Sequence, residues 1–534
     1  MCGICGIVNF SHPVRVDAGV AREMVWALRH RGPDDAALLD AGGVALGHSR
    51  LSIIDAAGGA QPMASEDENL WIVFSGEIYN HEELREELRA RGHRFRSRSD
   101  TEVILKSYRA WGTDAFLRFN GQWALALWDR RRNRVLLSRD RFGIRPLYYA
   151  YIDGSLVFAS EIKALMCHPH LERALRPEGV AETLMLWAPR PAQTAFRGIQ
   201  QIPPASFATA SAPGTELRMS RYWRPAFFSN AEGFGHGGPA GSGGSAGADD
   251  VDGFDDRGES GELQTAISAA VRLRFERSDV PVGVYVSGGL DSAIVAAALA
   301  RTGARFQAFS LSFEDEEFDE TRYQEALAAH LGIAIDRVTV SRSEIAMAFP
   351  DTIYHAEQPL LRTAAAPLAL LARHVRACDR EVVLTGEGAD ELFGGYDLFR
   401  EHLVRTGSIE VEDTSLYGWQ RRSPLAHAGL ADMYWDAART ASGPFSSHEH
   451  RWRQGSQTAR FFDPAFAPAS PSELYAATTA DLEHGLPTEF RDWGPLEQAQ
   501  YLELSLFFPG YLLSAQSDRT MMAHAVEGRF PYLD

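Results

Sequence analysis

The sequence predicts a two-domain chain with an α+β amino-terminal half and a parallel α/β carboxyl-terminal half. At 534 residues it exceeds the size at which one hydrophobic core stops growing. Short apolar or alternating segments separated by turns fill the first half, whereas strand, glycine turn and helix recur in the second. A Gly-, Ser- and Asp-rich stretch at 229–260 lies between them and predicts a flexible linker or loop. We therefore place one domain at 2–215 and the other at 261–534.

Antiparallel sheets with a few helices fit the first half best. One helix is expected to start at Asn80, which can cap it, while Glu83 can complete a capping box and Leu84 and Leu88 share one face. The expected strands are 70–74, 122–128, 134–138, 147–152 and 155–159.

The second half reads as a parallel sheet with crossover helices. Each of three apolar segments precedes a helical segment, which is the pattern of repeated βα units. The expected strands are 281–286, 305–312 and 381–385, and the helices that follow them are 292–301, 322–330 and 389–393. Most of 401–500 is predicted to be helical, and no chemistry is assigned to it.

Composition excludes several classes of function. The 71 acidic and 53 basic residues give a net charge of −18, which repels a phosphate backbone, so no nucleic-acid partner is expected. No apolar run is long enough to span a bilayer and no signal pattern opens the chain, which predicts a cytoplasmic protein without a membrane partner. Four cysteines are too few for a disulfide scaffold.

Cys2 is the first candidate catalytic residue. Removal of Met1 would leave a thiol and a free α-amino group on the same residue. An α-amino group with a pKa of about 7.7 to 8.0 is partly unprotonated near neutral pH, so it can take the thiol proton and return it to a leaving group. A cysteine at position 2 is by itself weak evidence for a catalytic role. The motifs described below make that role the better interpretation.

A glycine turn at 285–292 predicts a phosphate-binding loop. Ser287, Gly288 and Gly289 lie between an apolar strand and a helix of small residues, so backbone N–H groups can converge on an anion. No lysine follows the glycines, so the loop is not a Walker A motif. Asp291 at its end is positioned to hold a magnesium ion.

A second glycine-rich segment, 384–396, again follows a predicted strand. Glu387, Asp390 and Glu391 lie close together between glycines. Their mutual repulsion requires a bound cation or a cationic group. A helix dipole would stabilise such acids, but it does not explain the glycines on both sides.

Together these motifs resemble the glutamine-dependent asparagine synthetase family. The resemblance implies an Ntn-hydrolase αββα sandwich, which is a class II glutamine amidotransferase domain, joined to a doubly wound parallel α/β ATP-pyrophosphatase domain with a helical region. Besides the two glycine segments, it rests on MCGICG at 1–6, HRGPD at 30–34, GHSRLSIID at 47–55, QPM at 61–63, GEIYN at 76–80, SDTE at 99–102, SRDRFG at 138–143, DRTMM at 518–522 and VEGRFPYLD at 526–534.

In the first domain, the resemblance implies that Cys2 attacks the side-chain amide of glutamine. The oxyanion donors would be the Gly76 backbone and the side chain before it, where relatives carry asparagine and this chain has Ser75. A serine offers one proton on a shorter side chain, so slow glutamine hydrolysis is expected. The implied glutamine-binding residues are Arg50 for the carboxylate, Glu77 and Asp100 for the ammonium group, and Ile53, Ser75 and Gly76.

In the second domain, the resemblance implies that a carboxylate attacks the α-phosphorus of ATP. Ammonia passed internally from the first domain would then displace AMP, with Glu387 as base and Tyr396 nearby. Asp291 and Asp390 would hold Mg²⁺, and Asp319 and Arg519 are candidate phosphate or acceptor contacts. The implied ATP-binding residues are Val286, Ser287, Gly288, Gly289, Asp291, Ser292, Leu311, Thr385 and Gly386.

Several alternatives stay open from the sequence. Aspartate is the first candidate acceptor, and the segment 355–365 does not distinguish it from another small carboxylate of secondary metabolism. A third alternative is ring closure by an internal amine, which is disfavoured because such an enzyme would not need Cys2, Arg50 and Asp100. A fourth is a non-enzymatic regulator with decayed sites, which is disfavoured because both sets of motifs are intact. A homodimer is the assembly hypothesis. Relatives usually continue beyond the motif at which this chain ends, so a carboxyl-terminal truncation is expected.

Overall fold

A computed structural model describes residues 2–11, 15–211, 216–227, 256–315, 317–408, 443–463, 466 and 470–534. Most of the predicted linker, 229–255, and part of the predicted helical region, 409–442, lie outside the described residues. A helix begins at Asp256, so the last five residues of the predicted linker are helical. No helix within the described ranges is long and apolar enough to cross a bilayer.

The amino-terminal half consists of two antiparallel six-stranded sheets flanked by helices. Its strands are β1 (Gly3–Asn9), β2 (Asp35–Asp40), β3 (Val44–Arg50), β4 (Met63–Ala64), β5 (Leu70–Ile78), β6 (Gly121–Asp129), β7 (Arg134–Arg139), β8 (Tyr148–Ile152), β9 (Ser155–Ala159), β10 (Gln200–Gln201), β11 (Ser206–Ala210) and β12 (Arg218–Arg221). Its helices are α1 (Ala18–Ala27), α2 (His81–Ala90), α3 (Asp100–Trp111), α4 (Ala115–Arg118), α5 (Ile162–Leu165) and α6 (Pro177–Leu186).

These elements form four layers. The sheet β10-β8-β9-β1-β3-β2 packs on the sheet β12-β11-β7-β6-β5-β4 through apolar side chains such as Ile4, Leu46 and Ala126. Helices α1 and α5 cover the outer face of the first sheet, and α2 and α3 cover that of the second. The alternation of inward and outward side chains on each strand produces this arrangement. It confirms the predicted αββα sandwich, whose second sheet continues to Arg221, beyond the predicted boundary at 215.

Helix α2 begins where the sequence predicts, but the predicted capping box is absent. Asn80 lies at the N-cap without capping, since its side chain donates to Arg118 O at 2.9 Å and accepts from Asn120 N at 2.9 Å. Glu83 pairs instead with Arg277 of the second domain, at 3.1 Å. Tertiary partners therefore replaced the local hydrogen bonds, whereas Leu84 and Leu88 are buried as expected.

The carboxyl-terminal half holds a five-stranded parallel sheet and a helical region. Its strands are β13 (Val282–Tyr285), β14 (Gln307–Phe313), β15 (Ile335–Val340), β16 (Val382–Leu384) and β17 (Glu527–Arg529). Its helices are α7 (Asp256–Glu276), α8 (Leu290–Arg301), α9 (Thr321–Leu331), α10 (Arg342–Ala356), α11 (Ala365–Ala377), α12 (Ala389–Phe393), α13 (Asp397–Arg405), α14 (Glu449–Ser456), α15 (Pro471–His484), α16 (Pro495–Leu502) and α17 (Arg519–Met522), with a π-helical segment at Glu503–Asp518.

The order of the parallel strands, β15-β14-β13-β16-β17, locates the ligand site of this domain. The chain runs outward from β13 in one direction and then crosses back to β16 on its other side. Helices α7 and α8 pack on one face, and α11 and α17 pack on the other. This is the predicted doubly wound fold, in which ligands bind beyond the carboxyl ends of the strands where the order reverses. Here that point lies between β13 and β16.

Buried charges hold the two domains together. Asp518, from the second domain, accepts from Arg31 at 2.8 and 3.0 Å and from Arg145 at 2.7 Å. Arg31 also donates to Glu161 at 2.8 Å, and Arg519 lies 3.0 Å from the same carboxylate. All five side chains are fully or almost fully buried. The guanidinium groups lower the pKa of the Asp518 carboxyl despite its burial, so the charges compensate one another.

Glu357 extends this interdomain cluster. It accepts from the backbone N–H groups of Ile162 and Lys163 at 2.7 and 2.6 Å, and from Arg519 at 2.8 Å. The Lys163 ammonium lies 3.0 Å from the same carboxylate. The first turn of α5 is thereby attached to the end of α10.

We expect Asp518→Asn to lower the free energy of unfolding by about 3 to 5 kcal/mol, because Arg31 and Arg145 would stay buried without their carboxylate. Urea denaturation followed by fluorescence measures this. The control Glu86→Gln breaks an exposed pair with Arg89, and the loss should be below about 1 kcal/mol. Equal effects of the two substitutions would contradict the role given to Asp518.

Candidate active sites

Cys2 lies directly before β1 and is held by contacts to its backbone. Its carbonyl oxygen accepts from Ser75 Oγ at 2.6 Å and from Arg31 Nε at 3.2 Å. Its Sγ lies 3.8 Å from Leu51 O. Burial raises the pKa of the Cys2 thiol, so the resting group is a thiol that needs a base.

Ser75 and Gly76 lie beside Cys2 on β5. The single Ser75 proton is donated to the Cys2 carbonyl oxygen, so it is not free for an oxyanion in this arrangement. Gly76 has φ of 150°, and a Cβ there would lie 2.0 Å from Gln122 O on the neighbouring strand. Only glycine fits at this position, which leaves its backbone close to the reacting group.

Arg50 and two acids surround the same pocket. The Arg50 guanidinium donates to the carbonyl oxygens of Ala56 and Asp55 at 2.8 and 2.9 Å, which fixes its orientation at the end of β3. Asp100 accepts from Ile78 N at 3.0 Å. Burial and the charges of Glu527 and Asp100 raise the pKa of Glu77.

One oxygen of Glu77 is available to a ligand. Within the described part of the chain, Glu77 Oε2 is buried and has no hydrogen-bond partner. A buried acceptor without a donor is costly, and an ammonium group would satisfy it. Ile53 is farther into the domain interface, where its carbonyl oxygen accepts from Asp279 N at 3.0 Å and its side chain joins the core of the second domain.

In the second domain, the loop after β13 is closed by its own serines. Ser292 Oγ lies 3.0 Å from Ser287 Oγ and accepts from Ser287 N at 3.1 Å. Gly288 has φ of 97°, and α8 begins at Leu290 directly after Gly289. The loop thus turns sharply into the N-terminus of a twelve-residue helix, where N–H groups without intrahelical partners favour an anion.

Neighbouring strands bring the other predicted ATP-binding residues beside this loop. A Cβ on Gly386 would lie 2.9 Å from Ser292 N, so the two glycine segments are in contact and a side chain at Gly386 would clash with the loop backbone. Val286 N donates to Phe309 O at 2.9 Å, on β14 two residues before Leu311. Thr385 follows β16, and its Oγ1 accepts from Glu387 N at 3.3 Å.

A buried glutamine that sequence reasoning missed supports this loop. Gln324, on α9, donates to Leu311 O at 2.9 Å and to Ser287 O at 3.3 Å, and its own oxygen accepts from Arg337 at 3.0 Å. An isolated glutamine in a polar helix gives no sequence signal, so only the fold reveals it.

Three carboxylates face one another where the strand order reverses. Burial and the charges of Asp390 and Asp291 raise the pKa of Glu387 to about 7. Burial also raises the pKa of Asp291, and burial together with Asp291 raises that of Asp390. The three carboxylates therefore lie close together without a compensating positive charge among the described residues. The sequence prediction groups Glu391, rather than Asp291, with Glu387 and Asp390.

The donor set at this position fits a magnesium ion. Asp291 and Asp390 supply carboxylate oxygens, which Mg²⁺ prefers. Among the described residues no cation lowers the pKa of either group. A Cβ on Gly395 would lie 2.1 Å from Asp390 Oδ1, so glycine there keeps space around this carboxylate.

Tyr396 is bonded to Glu391 rather than to Glu387. Its hydroxyl donates to Glu391 Oε1 at 2.5 Å, and burial with the nearby acids raises the pKa of the tyrosine. Burial raises the pKa of Glu391 to about 8. This hydrogen bond connects Glu391 on α12 to the residue directly before α13.

The two remaining predicted contacts lie in different places. Asp319 Oδ1 accepts from Thr321 Oγ1 at 2.8 Å in the loop after β14, and the adjacent Glu320 approaches Gly288. Arg519 is fully buried in the interdomain cluster, where its charge is matched by Glu161 and Glu357. The structure therefore does not bring Arg519 to the phosphate loop.

Arg362 is a second feature that sequence reasoning did not single out. It lies in the predicted acceptor segment, and its guanidinium carbon is 5.8 and 5.9 Å from the rings of Trp187 and Tyr511. Tyr511 is close enough to feel the charges of both Arg362 and Glu387. In the described ranges Arg362 makes no ion pair, so it is available to an anion.

Comparisons with known proteins match both halves. The sequence matches the family model of the glutamine amidotransferase domain over residues 1–223 and that of asparagine synthase over 262–534. Asparagine synthetase 1 (glutamine-hydrolyzing) of Bacillus subtilis is 30% identical over all of this chain and 79% of its own length. A Mycobacterium tuberculosis protein described as a putative asparagine synthetase is 31% identical over all of this chain and 80% of its own.

A fungal relative carries a different name at similar identity. Amidase chyE of Penicillium rubens is 31% identical over 95% of this chain and 75% of its own length. The family is thus shared by synthetases and amidases. This chain belongs to the glutamine-hydrolysing asparagine synthetase family. It is a ligase that contains a glutamine amidotransferase domain followed by an asparagine synthase domain.

Proposed function

We propose that this enzyme amidates a small carboxylate, aspartate first, at the expense of ATP and with ammonia from glutamine. The observation that carries the proposal is the carboxylate-lined phosphate loop at the strand-order reversal, in one chain with the buried Cys2 pocket. Each pocket supplies half of the chemistry, and the buried charge cluster holds the two halves together.

In the first half-reaction, the Cys2 thiol attacks the side-chain carbonyl carbon of glutamine. Its proton passes through the free α-amino group to the amide nitrogen, which leaves as ammonia. Water then hydrolyses the thioester and releases glutamate. Arg50 would orient the glutamine carboxylate, and Glu77 Oε2 would accept from its ammonium group.

In the second half-reaction, an oxygen of the acceptor carboxylate attacks the α-phosphorus of ATP, and pyrophosphate leaves. Backbone N–H groups around Gly288 and Gly289 would bind the phosphates, and Asp291 and Asp390 would hold Mg²⁺. When bound, that ion neutralises charge on the departing pyrophosphate.

Ammonia then attacks the acyl carbon and AMP leaves. The attacking nitrogen gains positive charge, so a nearby base must remove a proton. Glu387 suits this role, because a pKa of about 7 lets it accept a proton near neutral pH. Free water would hydrolyse the acyl-adenylate, so we also propose that ammonia moves between the domains inside the protein.

Arg362 favours an acceptor with a second anionic group. A guanidinium over two aromatic rings and without a carboxylate partner in the described ranges suits the α-carboxylate of aspartate. Another carboxylate of secondary metabolism is the second candidate, which the similar identity to a fungal amidase supports. The homodimer and the cytoplasmic location remain predictions.

We expect the protein with Met1 removed to form glutamate and AMP when given glutamine, ATP, Mg²⁺ and aspartate. Cys2→Ala should abolish glutamate formation and keep AMP formation with ammonium salts, because the synthetase pocket is intact. Coupled assays across a panel of mono- and dicarboxylates measure both products. AMP release with another acid but not aspartate would support the second candidate, and no AMP with any acid would contradict the function.

For Ser75→Asn we expect glutamine hydrolysis to be faster, with kcat raised about 10- to 100-fold, because an added oxyanion donor contributes up to about 3 kcal/mol. The amide NH₂ has two protons, one for the Cys2 carbonyl and one for the oxyanion. Ser75→Ala is the matched control, which adds no donor and should not raise kcat. An unchanged kcat in Ser75→Asn, with KM for glutamine retained, would count against the proposal.

Glu387→Gln should stabilise the ligand-free protein at alkaline pH. The raised pKa of Glu387 means that its stability contribution is complete below about pH 4.5 and is lost as pH rises through about 7. At pH 8 the variant should exceed the wild type by about 3 kcal/mol, and this gap should shrink towards zero at pH 5. Urea denaturation at both pH values measures it.

The exposed Glu325→Gln serves as the control and should show no such pH-dependent gap. A constant difference between Glu387→Gln and the wild type across this range would contradict the charged state assigned to Glu387.

A further inference from the structure

Three metal-ligating side chains meet at the edge of the parallel sheet opposite the phosphate loop. Asp336 lies near the start of β15, and His374 and Cys378 lie one helical turn apart at the end of α11. Among the described residues, these three and the set His30, Glu161 and His355 are the groups whose ligand atoms converge within 4.8 Å. Neither group belongs to the proposed reaction.

The distances in the Asp336 group resemble those around a tetrahedral zinc ion. Cys378 Sγ lies 3.6 Å from Asp336 Oδ2 and 3.7 Å from His374 Nε2. Ligands at ordinary zinc bond lengths stand about 3.5 Å apart when one is sulfur. His374 Nε2 lies 2.9 Å from the other carboxylate oxygen, Asp336 Oδ1. A rotation of the carboxylate and a separation of a few tenths of an ångström from His374 would let one of its oxygens share an ion with His374 and Cys378.

Charge and ligand type also suit such an ion. A thiolate and a carboxylate together carry two negative charges, which a divalent cation neutralises, and imidazole completes a borderline-soft set. Gln307 Nε2 donates to Asp336 Oδ2 at 3.1 Å and would orient the carboxylate. The nearby Arg376 is already paired with Glu381, at 2.5 Å.

The group of His30, Glu161 and His355 has an electrostatic environment that does not suit a cation. The Glu161 carboxylate already forms ion pairs with Arg31, Lys163 and Arg519, which surround it with positive charge. A divalent cation placed beside His30 and His355 would meet strong repulsion. The two clusters thus differ in electrostatics although their geometry is similar.

We propose that Asp336, His374 and Cys378 form a binding site for a Zn²⁺-class ion, with water as the fourth ligand. Binding releases the Cys378 thiol proton to solvent and forms a sulfur–metal bond. The ion attaches the end of α11 to β15 and so stabilises the helix that leads into β16 and Glu387. This role is structural and is separate from the proposed magnesium site.

Cobalt titration of the full-length chain tests the site. Cys2→Ala serves as the background, since a terminal amino-thiol also binds Co²⁺. We expect one Co²⁺ per chain, with thiolate-to-cobalt charge-transfer absorption and a tetrahedral d–d spectrum, and a higher Tm with Zn²⁺. Cys378→Ser should abolish the charge-transfer absorption, and His374→Ala should weaken Co²⁺ binding at least about tenfold.

Matched controls are Cys167→Ser, another partly buried free cysteine, and His355→Ala from the cationic cluster. Both should bind Co²⁺ like the background protein. Charge-transfer absorption that persists in Cys378→Ser, or its absence from the background protein at one equivalent of Co²⁺, would overturn the proposal. Circular dichroism of each variant shows that loss of binding is not loss of fold.

Discussion

The pairing of Asp518 with Arg31 and Arg145 is the interaction on which the two-domain arrangement depends. These charges are removed from water and are tolerable only because each finds its partner across the interface. Arg31 then reaches further, since its Nε donates to the Cys2 carbonyl oxygen. One guanidinium thus connects the nucleophile of the first domain to a carboxylate of the second. The geometry of the Cys2 pocket is therefore a property of the assembled chain.

The pocket beside the loop after β13 differs from this interface, because its negative charges have no positive partners among the described residues. Asp291, Asp390 and Glu387 lie together beyond the carboxyl ends of the neighbouring strands β13 and β16, and each has a raised pKa. A protein core does not gather such groups for stability, because burial without a counter-charge is unfavourable. The arrangement fits a site completed by its ligands, and Arg362 nearby has the complementary excess of positive charge.

Sequence reasoning recovered the layers and the glycine turns better than the polar contacts. β9 and α12 have the predicted bounds, since alternation and glycine spacing are local signals. The capping box at Asn80 failed because partners more than thirty residues away bind the same atoms. The partners of Arg519 and the role of Gln324 were equally beyond reach, since they depend on which helices meet in the fold. Gly76 and Gly386 were predicted only from the family resemblance, and the structure adds the physical reason that a side chain at either position would clash with the neighbouring backbone.

The hydrogen bond from Arg31 to the Cys2 carbonyl oxygen has a consequence for how this chain can be divided. A first domain expressed without the second would carry Arg31 and Arg145 without Asp518, the carboxylate that neutralises them. Arg31 would then be free to leave the Cys2 carbonyl oxygen, and the nucleophile would lose part of its support. Isolating the glutaminase domain therefore changes the nucleophile's surroundings as well as the domain interface.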